Sequence, residues 1–148
     1  MTIPLWCLVG GLVLPYIWAG VSVPFRNKEL GSTDLVQPRL QAAELTGGGA
    51  GAWGAQMNQW EAISVFSAAT LIAYMQGVDP AGNWATASLI WLAARVVHGV
   101  FYVVGNAVLR VAGFVTSLAM CGWIIAMSVH WSWGGTLHWL FVDSSMTR

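Results

Sequence analysis

The sequence predicts an all-α membrane protein, a single domain built as a four-transmembrane-helix bundle whose neighbouring helices run antiparallel. Three observations predict this fold. Apolar residues make up 57% of the 148-residue chain and charged residues only 8%, too few to cover a soluble surface. Four apolar stretches reach the roughly 20 residues that a helix needs to cross a bilayer. Short links join the last three stretches, which favours antiparallel neighbours.

The four predicted spans take up most of the chain. The first covers residues 3–25 and contains Pro15, which is expected to kink the helix. The others cover 53–76, 83–105 and 111–131. Because the N-terminal stretch has no basic start and no small-residue cleavage site, it is predicted to be a retained span rather than a signal peptide.

Two segments outside the spans carry further expectations. The polar link 26–52 ends in a glycine-rich run that matches the G-x-G-x-x-G pattern. Because no strand precedes the run, it is expected to be a flexible link and not a dinucleotide site. The tail 132–148 contains the pair Gly134–Gly135, which is expected to break the last helix and leave an interfacial segment.

The basic residues predict the topology. The first link holds Arg26, Lys28 and Arg39, Arg110 follows the third span, and the second link has only Asp79. The positive-inside rule therefore places the first and third links in the cytoplasm and both termini outside. Tryptophan favours the membrane boundary, so Trp6 and Trp84 are predicted to form part of an aromatic belt at the outer face.

Several functional classes are not supported by the sequence. Zero net charge and only six lysine and arginine residues give no electrostatic footprint for nucleic acid. Cys7 and Cys121 lie inside apolar runs and are interpreted as packing residues. His130 and His138 have no further ligand at a standard spacing, so no metal site is predicted.

Five polar residues lie inside the second and third spans and are the candidate site. Asn58 and Glu61 share one face of the second span at i, i+3, and the third span carries Arg95, His98 and Tyr102 at i, i+3, i+7. At about 1.5 Å per residue, Glu61 lies about 12 Å and Arg95 about 15 Å from the cytoplasmic ends of their helices. All five residues are therefore expected in the cytoplasmic half.

Two interpretations of this arrangement remain open. If the two polar faces meet, they form one pocket that opens toward the cytoplasm, with Arg110 at its mouth and room for a zwitterion or a carboxylate-bearing ligand. Alternatively, Glu61 and Arg95 pair with each other in a purely structural network, since such networks use the same residue types.

The ordered set Asn58-x-x-Glu61, Arg95-x-x-His98-x-x-x-Tyr102 and Arg110 resembles the MAPEG family, the membrane-associated proteins of eicosanoid and glutathione metabolism. The likeness covers nearly the whole chain and is greatest to the bacterial branch.

The resemblance implies a homotrimer in the bacterial inner membrane, with glutathione as co-substrate bound between subunits near the cytoplasmic side. Arg95 would brace the pocket, and Arg110 would stabilise the glutathione thiolate. The glutathione contacts would be Asn58, Glu61, His98 and Tyr102. The implied activity is transfer of glutathione or a related thiol to lipophilic electrophiles, or peroxide reduction.

Two positions depart from the pattern of the family. Gly54 stands where relatives often carry an arginine for a glutathione carboxylate, and Ala62 replaces a tyrosine that follows the glutamate. These departures favour the alternative of a non-enzymatic scaffold or accessory subunit in a larger membrane complex. Binding of glutathione distinguishes the two interpretations.

Overall fold

Four long helices and one short helix form the part of the protein that the structure describes. The computed structural model describes the backbone of residues 1–142 and the side chains of residues 1–130. The helices are α1 (Ile3–Leu30), α2 (Pro38–Ala43), α3 (Gly47–Met75), α4 (Asn83–Val104) and α5 (Ala107–Val142). The described part contains no strand. The predicted all-α bundle of four long helices is confirmed.

Within the described residues, three helical segments are long and apolar enough to cross a membrane, namely Ile3–Leu30, Asn83–Val104 and Ala107–His130. The remaining long helix, α3, has 29 residues and therefore spans about 43 Å. It does not meet the same criterion of apolarity. Its middle carries Asn58, Gln59 and Glu61, so the predicted second span is the polar helix of the bundle.

The glycine-rich run is helical and not a flexible link, so that expectation was wrong. It forms the first turns of α3, which packs closely on the end of α4. A Cβ atom at Gly51 would collide with the carbonyl oxygen of Tyr102. Because glycine has no side chain, the two backbones can approach this closely. The contact shows that the start of α3 and the end of α4 lie at the same end of the bundle. The first and third links therefore share one end, as the predicted topology requires.

The first link is shorter and more ordered than the sequence predicts, since α1 continues to Leu30. Arg26 is buried and its Nη1 donates to the carbonyl of Pro38 (2.7 Å) and to Oε1 of Gln41 (3.2 Å), which holds α2 against α1. The backbone N–H groups of Gln37 and Val36 donate to Asp34 and hold the pKa of its carboxyl below the ordinary value.

The last helix is longer than predicted. The backbone of α5 continues through Gly134 and Gly135 to Val142, so the glycine pair does not break the helix. A glycine in a helix costs only about 0.5–1 kcal/mol relative to alanine, which an apolar helix tolerates. The predicted interfacial position of the tail stays a prediction, and its residues 143–148 lie outside the described part of the chain.

Aromatic side chains fill the core where four helices meet. Phe66 of α3 stacks on Trp91 of α4, with ring centroids 3.8 Å apart. Trp84 is only 2% exposed and belongs to the same cluster, so it faces the interior and not the outer aromatic belt. Trp6, in contrast, is 61% exposed, in agreement with a position on the lipid-facing surface.

Candidate functional site

Two amide side chains of α3 hold the buried arginine of α4. Arg95 is 1% exposed. Its Nε donates to Oε1 of Gln59 and its Nη2 donates to Oδ1 of Asn58, both at 2.8 Å. The third guanidinium nitrogen, Nη1, is buried without a hydrogen-bond partner among the described residues. Since buried N–H groups are almost always paired, this donor is an exception within the site.

Glu61 reaches this arrangement through Asn58. The amide Nδ2 of Asn58 donates to Oε2 of Glu61 at 3.2 Å. Among the described residues, no ion pair joins Glu61 to Arg95, so the structural alternative of a direct pair is not observed. Glu61 lies on the outer surface of the bundle, where its carboxylate is exposed.

A groove opens beside these residues between α3 and α5, with α4 as its floor. Its volume is about 190 Å³. Its rim is exposed and, apart from the Glu61 carboxylate, apolar, so the groove opens on the membrane-facing surface of the chain. A single chain offers less volume here than the 300–1,000 Å³ typical of ligand pockets. The lining residues are Asn58, Glu61, Ala62, Val65, Trp91, Arg95, Phe114, Ser117, Leu118 and Cys121.

The other three predicted site residues form a second cluster, which does not line the groove. Nδ1 of His98 lies 2.8 Å from the carbonyl oxygen of Arg110. Because a carbonyl only accepts, Nδ1 carries the proton. The rings of His98 and Tyr102 meet edge to face at 5.3 Å, and the guanidinium of Arg110 lies 4.6 Å from the centre of the Tyr102 ring. The residues that were expected to line one pocket therefore form two clusters, of which only the first lines the groove.

The tight turn between α4 and α5 creates this second cluster. Gly105 ends α4 in the left-handed conformation, at φ 82°. Oδ1 of Asn106 then accepts the backbone N–H of Leu109 at 3.1 Å and starts α5. The chain reverses within a few residues, so Arg110, in the first turn of α5, returns to the last turn of α4.

Tyr102 also covers Gly54. A Cβ atom at Gly54 would lie 2.6 Å from Cε1 of the Tyr102 ring, closer than van der Waals contact permits. A side chain at position 54 therefore requires the ring to move. Arg110 packs on the same ring, so Gly54, Tyr102 and Arg110 form one packed unit.

Sequence reasoning missed Gln59. This residue is fully buried, and besides Arg95 it contacts α1, where its Nε2 donates to the carbonyl oxygen of Gly11 at 3.0 Å. One signal was present in the sequence: a glutamine in the middle of a predicted span costs free energy in lipid unless its amide is paired. Its partners were not visible, because Gly11 and Arg95 lie on other helices.

The packed helices and the buried, amide-bound arginine define a multi-pass membrane protein with a polar site inside its helical bundle. The profile of the MAPEG family matches residues 3–130. The chain belongs to the MAPEG family, as the ordered polar motif predicted. No curated protein and no solved structure shows significant similarity to the chain.

Proposed function

We propose that the protein transfers glutathione, or a related thiol, to lipophilic electrophiles or uses that thiol to reduce peroxides. The observation that carries this proposal is the unpaired Nη1 of Arg95, in a residue that lines a groove on the membrane-facing surface. A buried guanidinium donor suits a carboxylate, because a charge-assisted hydrogen bond is roughly twice as strong as a neutral one.

The polar groups of the site fit a zwitterionic tripeptide. Glutathione carries two carboxylates, an ammonium group, two amides and a thiol. The exposed carboxylate of Glu61 offers a partner for an ammonium group, and Asn58 lies between Glu61 and Arg95. His98 and Tyr102 would contact the ligand from the second cluster, as the family resemblance implies.

Arg110 would stabilise the thiolate. A nearby guanidinium lowers the pKa of a thiol, and the thiolate is the nucleophile. In a transfer reaction, the thiolate sulfur forms a bond to the electrophilic carbon, and the leaving group departs with the bonding electron pair. Arg110 is half-buried and packs on Tyr102, so a ligand that touches the ring also lies near the guanidinium.

Two observations support a site completed by another copy of the chain, in agreement with the homotrimer that the family implies. The groove of about 190 Å³ is small for a tripeptide and lacks an outer wall. The carboxylate of Glu61 is exposed at membrane depth, where a charged group costs about 2.5–3.5 kcal/mol against lipid. A second subunit would provide the wall and shield the carboxylate.

The apolar rim of the groove supports entry of the acceptor from the lipid. Val65, Phe114 and Leu118 are exposed around the opening. A hydrophobic electrophile dissolved in the bilayer reaches this surface without crossing water. The proposed location is therefore the bacterial inner membrane, with the thiol supplied from the cytoplasmic side.

Ultraviolet absorbance of the bound thiolate tests the proposal. Wild-type protein with glutathione at neutral pH should show the thiolate band, which the protonated thiol lacks. Arg110→Ala should lose the band and retain some binding through Asn58 and Arg95. Arg39→Ala, which removes an exposed arginine of the first link, is the matched control and should keep the band. If wild type binds glutathione without the band, Arg110 is not the thiolate stabiliser.

A non-enzymatic scaffold or accessory subunit is the second candidate, and two observations favour it. The Tyr102 ring fills the space beside Gly54, where relatives often carry a carboxylate-binding arginine. Ala62, which lines the groove, likewise lacks the hydroxyl that the family's tyrosine would bring. If wild type binds no glutathione at millimolar concentration, the scaffold function replaces the enzymatic one.

A further inference from the structure

Pro15 leaves one carbonyl group of α1 without a backbone partner. Proline has no N–H, so within a helix the carbonyl four residues earlier loses its hydrogen bond. Here that carbonyl belongs to Gly11. Pro15 is fully buried and Gly11 is buried as well, so water does not compensate. Membrane helices tolerate proline where a neighbouring helix satisfies the freed group.

Gln59 of α3 satisfies this carbonyl and Arg95 at the same time. Its Nε2 donates to the Gly11 oxygen at 3.0 Å, and its Oε1 accepts from Nε of Arg95 at 2.8 Å. The two partners fix the orientation of the amide, because a carbonyl only accepts and a guanidinium only donates. Neither a carboxylate nor a hydrocarbon side chain makes both hydrogen bonds.

We propose that Gln59 is a positioning residue: anchored to the carbonyl that Pro15 frees, it fixes the Arg95 guanidinium in the orientation that leaves its Nη1, without a partner among the described residues, as a donor for a ligand. With Nε bound to Gln59 and Nη2 bound to Asn58, the plane of the guanidinium is fixed. The proline of α1 thus determines the geometry of a side chain on α4. The role of Arg95 toward a ligand rests on the proposed function, whereas the hydrogen bonds from Gly11 through Gln59 to Arg95 do not.

A double-mutant cycle tests the link between Pro15 and Gln59. Gln59→Met keeps the length of the side chain and removes both polar groups. In wild type it leaves the Gly11 carbonyl and the Arg95 Nε–H unpaired. In Pro15→Ala, the new N–H at position 15 bonds to Gly11, so only the Arg95 group is left unpaired. The loss in Tm caused by Gln59→Met should therefore be smaller in Pro15→Ala. Equal losses in both backgrounds would overturn the link.

The second proline inside α1 provides the matched control. Pro24 frees the carbonyl of Gly20, but Gly20 is exposed and has open space beside it. In a Pro24→Ala background, Gln59→Met should lower the Tm as much as it does in wild type. A reduction there equal to that in Pro15→Ala would show a general effect of straightening α1, which contradicts the proposal.

Hydrogen exchange of the arginine Nε–H groups tests the positioning role without any ligand. The chain has five arginines, and Arg95→Lys identifies the Arg95 signal in ¹⁵N NMR spectra. The Arg95 Nε–H should exchange roughly tenfold or more faster in Gln59→Met, the factor expected for loss of a hydrogen bond from a charged group. Gln59→Glu, which keeps the acceptor, should restore slow exchange. Unchanged exchange in Gln59→Met would overturn the proposal.

Glutathione binding completes the test. If wild type binds glutathione, Gln59→Met should bind it roughly tenfold or more weakly, because Arg95 no longer holds Nη1 in place. Equal affinity would make Gln59 structural only and overturn the proposal. If wild type binds no thiol, the proposed function fails, and the exchange rate of Arg95 still decides whether Gln59 positions the guanidinium.

Discussion

At the scale of residues, neutral amides solvate the charged guanidinium of Arg95 inside the membrane. A charged side chain at the centre of a membrane helix costs about 2.5–3.5 kcal/mol. A hydrogen bond to a charged group contributes about 1.5–3 kcal/mol, so the bonds to Gln59 and Asn58 together offset this cost. The two amides therefore solvate the guanidinium without a direct ion pair to Glu61, which lies at the rim of the groove.

Substitutions of Arg95 and Glu61 should therefore differ in their effect on stability. Arg95→Met leaves the carbonyl oxygens of the buried Gln59 amide and the half-buried Asn58 amide unpaired and should destabilise the protein by about 1–3 kcal/mol. Glu61→Gln should cost under about 1 kcal/mol, because the exposed side chain at position 61 still accepts from Asn58. Thermal unfolding in detergent measures both.

The double variant reports how the two residues communicate. Glu61→Ala removes the bond to Asn58 that Glu61→Gln keeps, so the double variant combines Glu61→Ala with Arg95→Met. Since Asn58 bonds to both side chains, the loss in this double variant should be smaller than the sum of the two single losses. Strict additivity would contradict the bridging role of Asn58. A larger loss for Glu61→Gln than for Arg95→Met would contradict the ranking.

At the scale of elements, helices approach closely where glycine replaces a side chain. Gly51 and Gly54 bring α3 against the end of α4, and Gly113 brings α5 against Ala94 and His98 of α4. Such small-residue contacts replace the hydrophobic driving force that helices lack in lipid. The short distance between α3 and α4 lets two amides reach the guanidinium of Arg95.

Gly54→Ala should therefore destabilise the protein. The added Cβ lies 2.6 Å from the Tyr102 ring, and overpacking of this kind costs about 1–3 kcal/mol, more than the gain in helix propensity. Gly122→Ala in α5 is the matched control: its added Cβ meets no atom of the described residues within 4 Å, so it should stabilise by about 0.5–1 kcal/mol. A stabilised Gly54→Ala in a thermal melt would show that the Tyr102 ring moves aside freely.

At the scale of the whole molecule, the long helices present apolar side chains outward. Exposed residues such as Val13, Leu71, Val97 and Val115 cover α1, α3, α4 and α5. The polar first link lies at one end of this apolar surface, together with the turn between α4 and α5. A membrane protein with the basic link in the cytoplasm agrees with this distribution.

Cysteine labelling tests the orientation. Ser32→Cys, in the exposed part of the first link, should react with a reagent only when the reagent reaches the cytoplasm. Ala81→Cys, in the turn before α4, should react from outside in intact cells. The native thiols of Cys7 and Cys121 are buried and should give little background. Labelling of the position-32 variant from outside would reverse the topology.

The sequence predicted the fold well because the length of an apolar run can be counted directly in the sequence, without knowledge of contacts between helices. The predicted helix boundaries were wrong at 49–54 and at 134–135, where glycine was taken as a helix breaker. Close packing or apolar surroundings outweigh the low helix propensity of glycine. The depths of Glu61 and Arg95 were estimated from the helical rise, yet depth does not fix rotation about the helix axis. Asn58 therefore came to lie between two residues that were expected to pair.

The site was harder to predict than the fold because its contacts cross helices. The motif identified Asn58, Glu61 and Arg95 as neighbours, and they are neighbours. It did not separate them from His98, Tyr102 and Arg110, which the turn at Gly105 brings together at the end of α4, where Tyr102 also packs on Gly54 of α3. Gln59 bonds to the carbonyl of Gly11, 48 residues earlier, which is free because of Pro15. No local sequence pattern reveals this contact.

The polarity of α3 also has a consequence for biosynthesis. A translocon passes segments into lipid according to their apolarity, and α3 carries the amides of Asn58 and Gln59 and the carboxylate of Glu61 near its middle. The partner that satisfies the two amides, Arg95, is made only after the next turn. Integration of α3 is therefore expected to wait for α4, so that the two helices leave the translocon as one hairpin with their polar groups already joined.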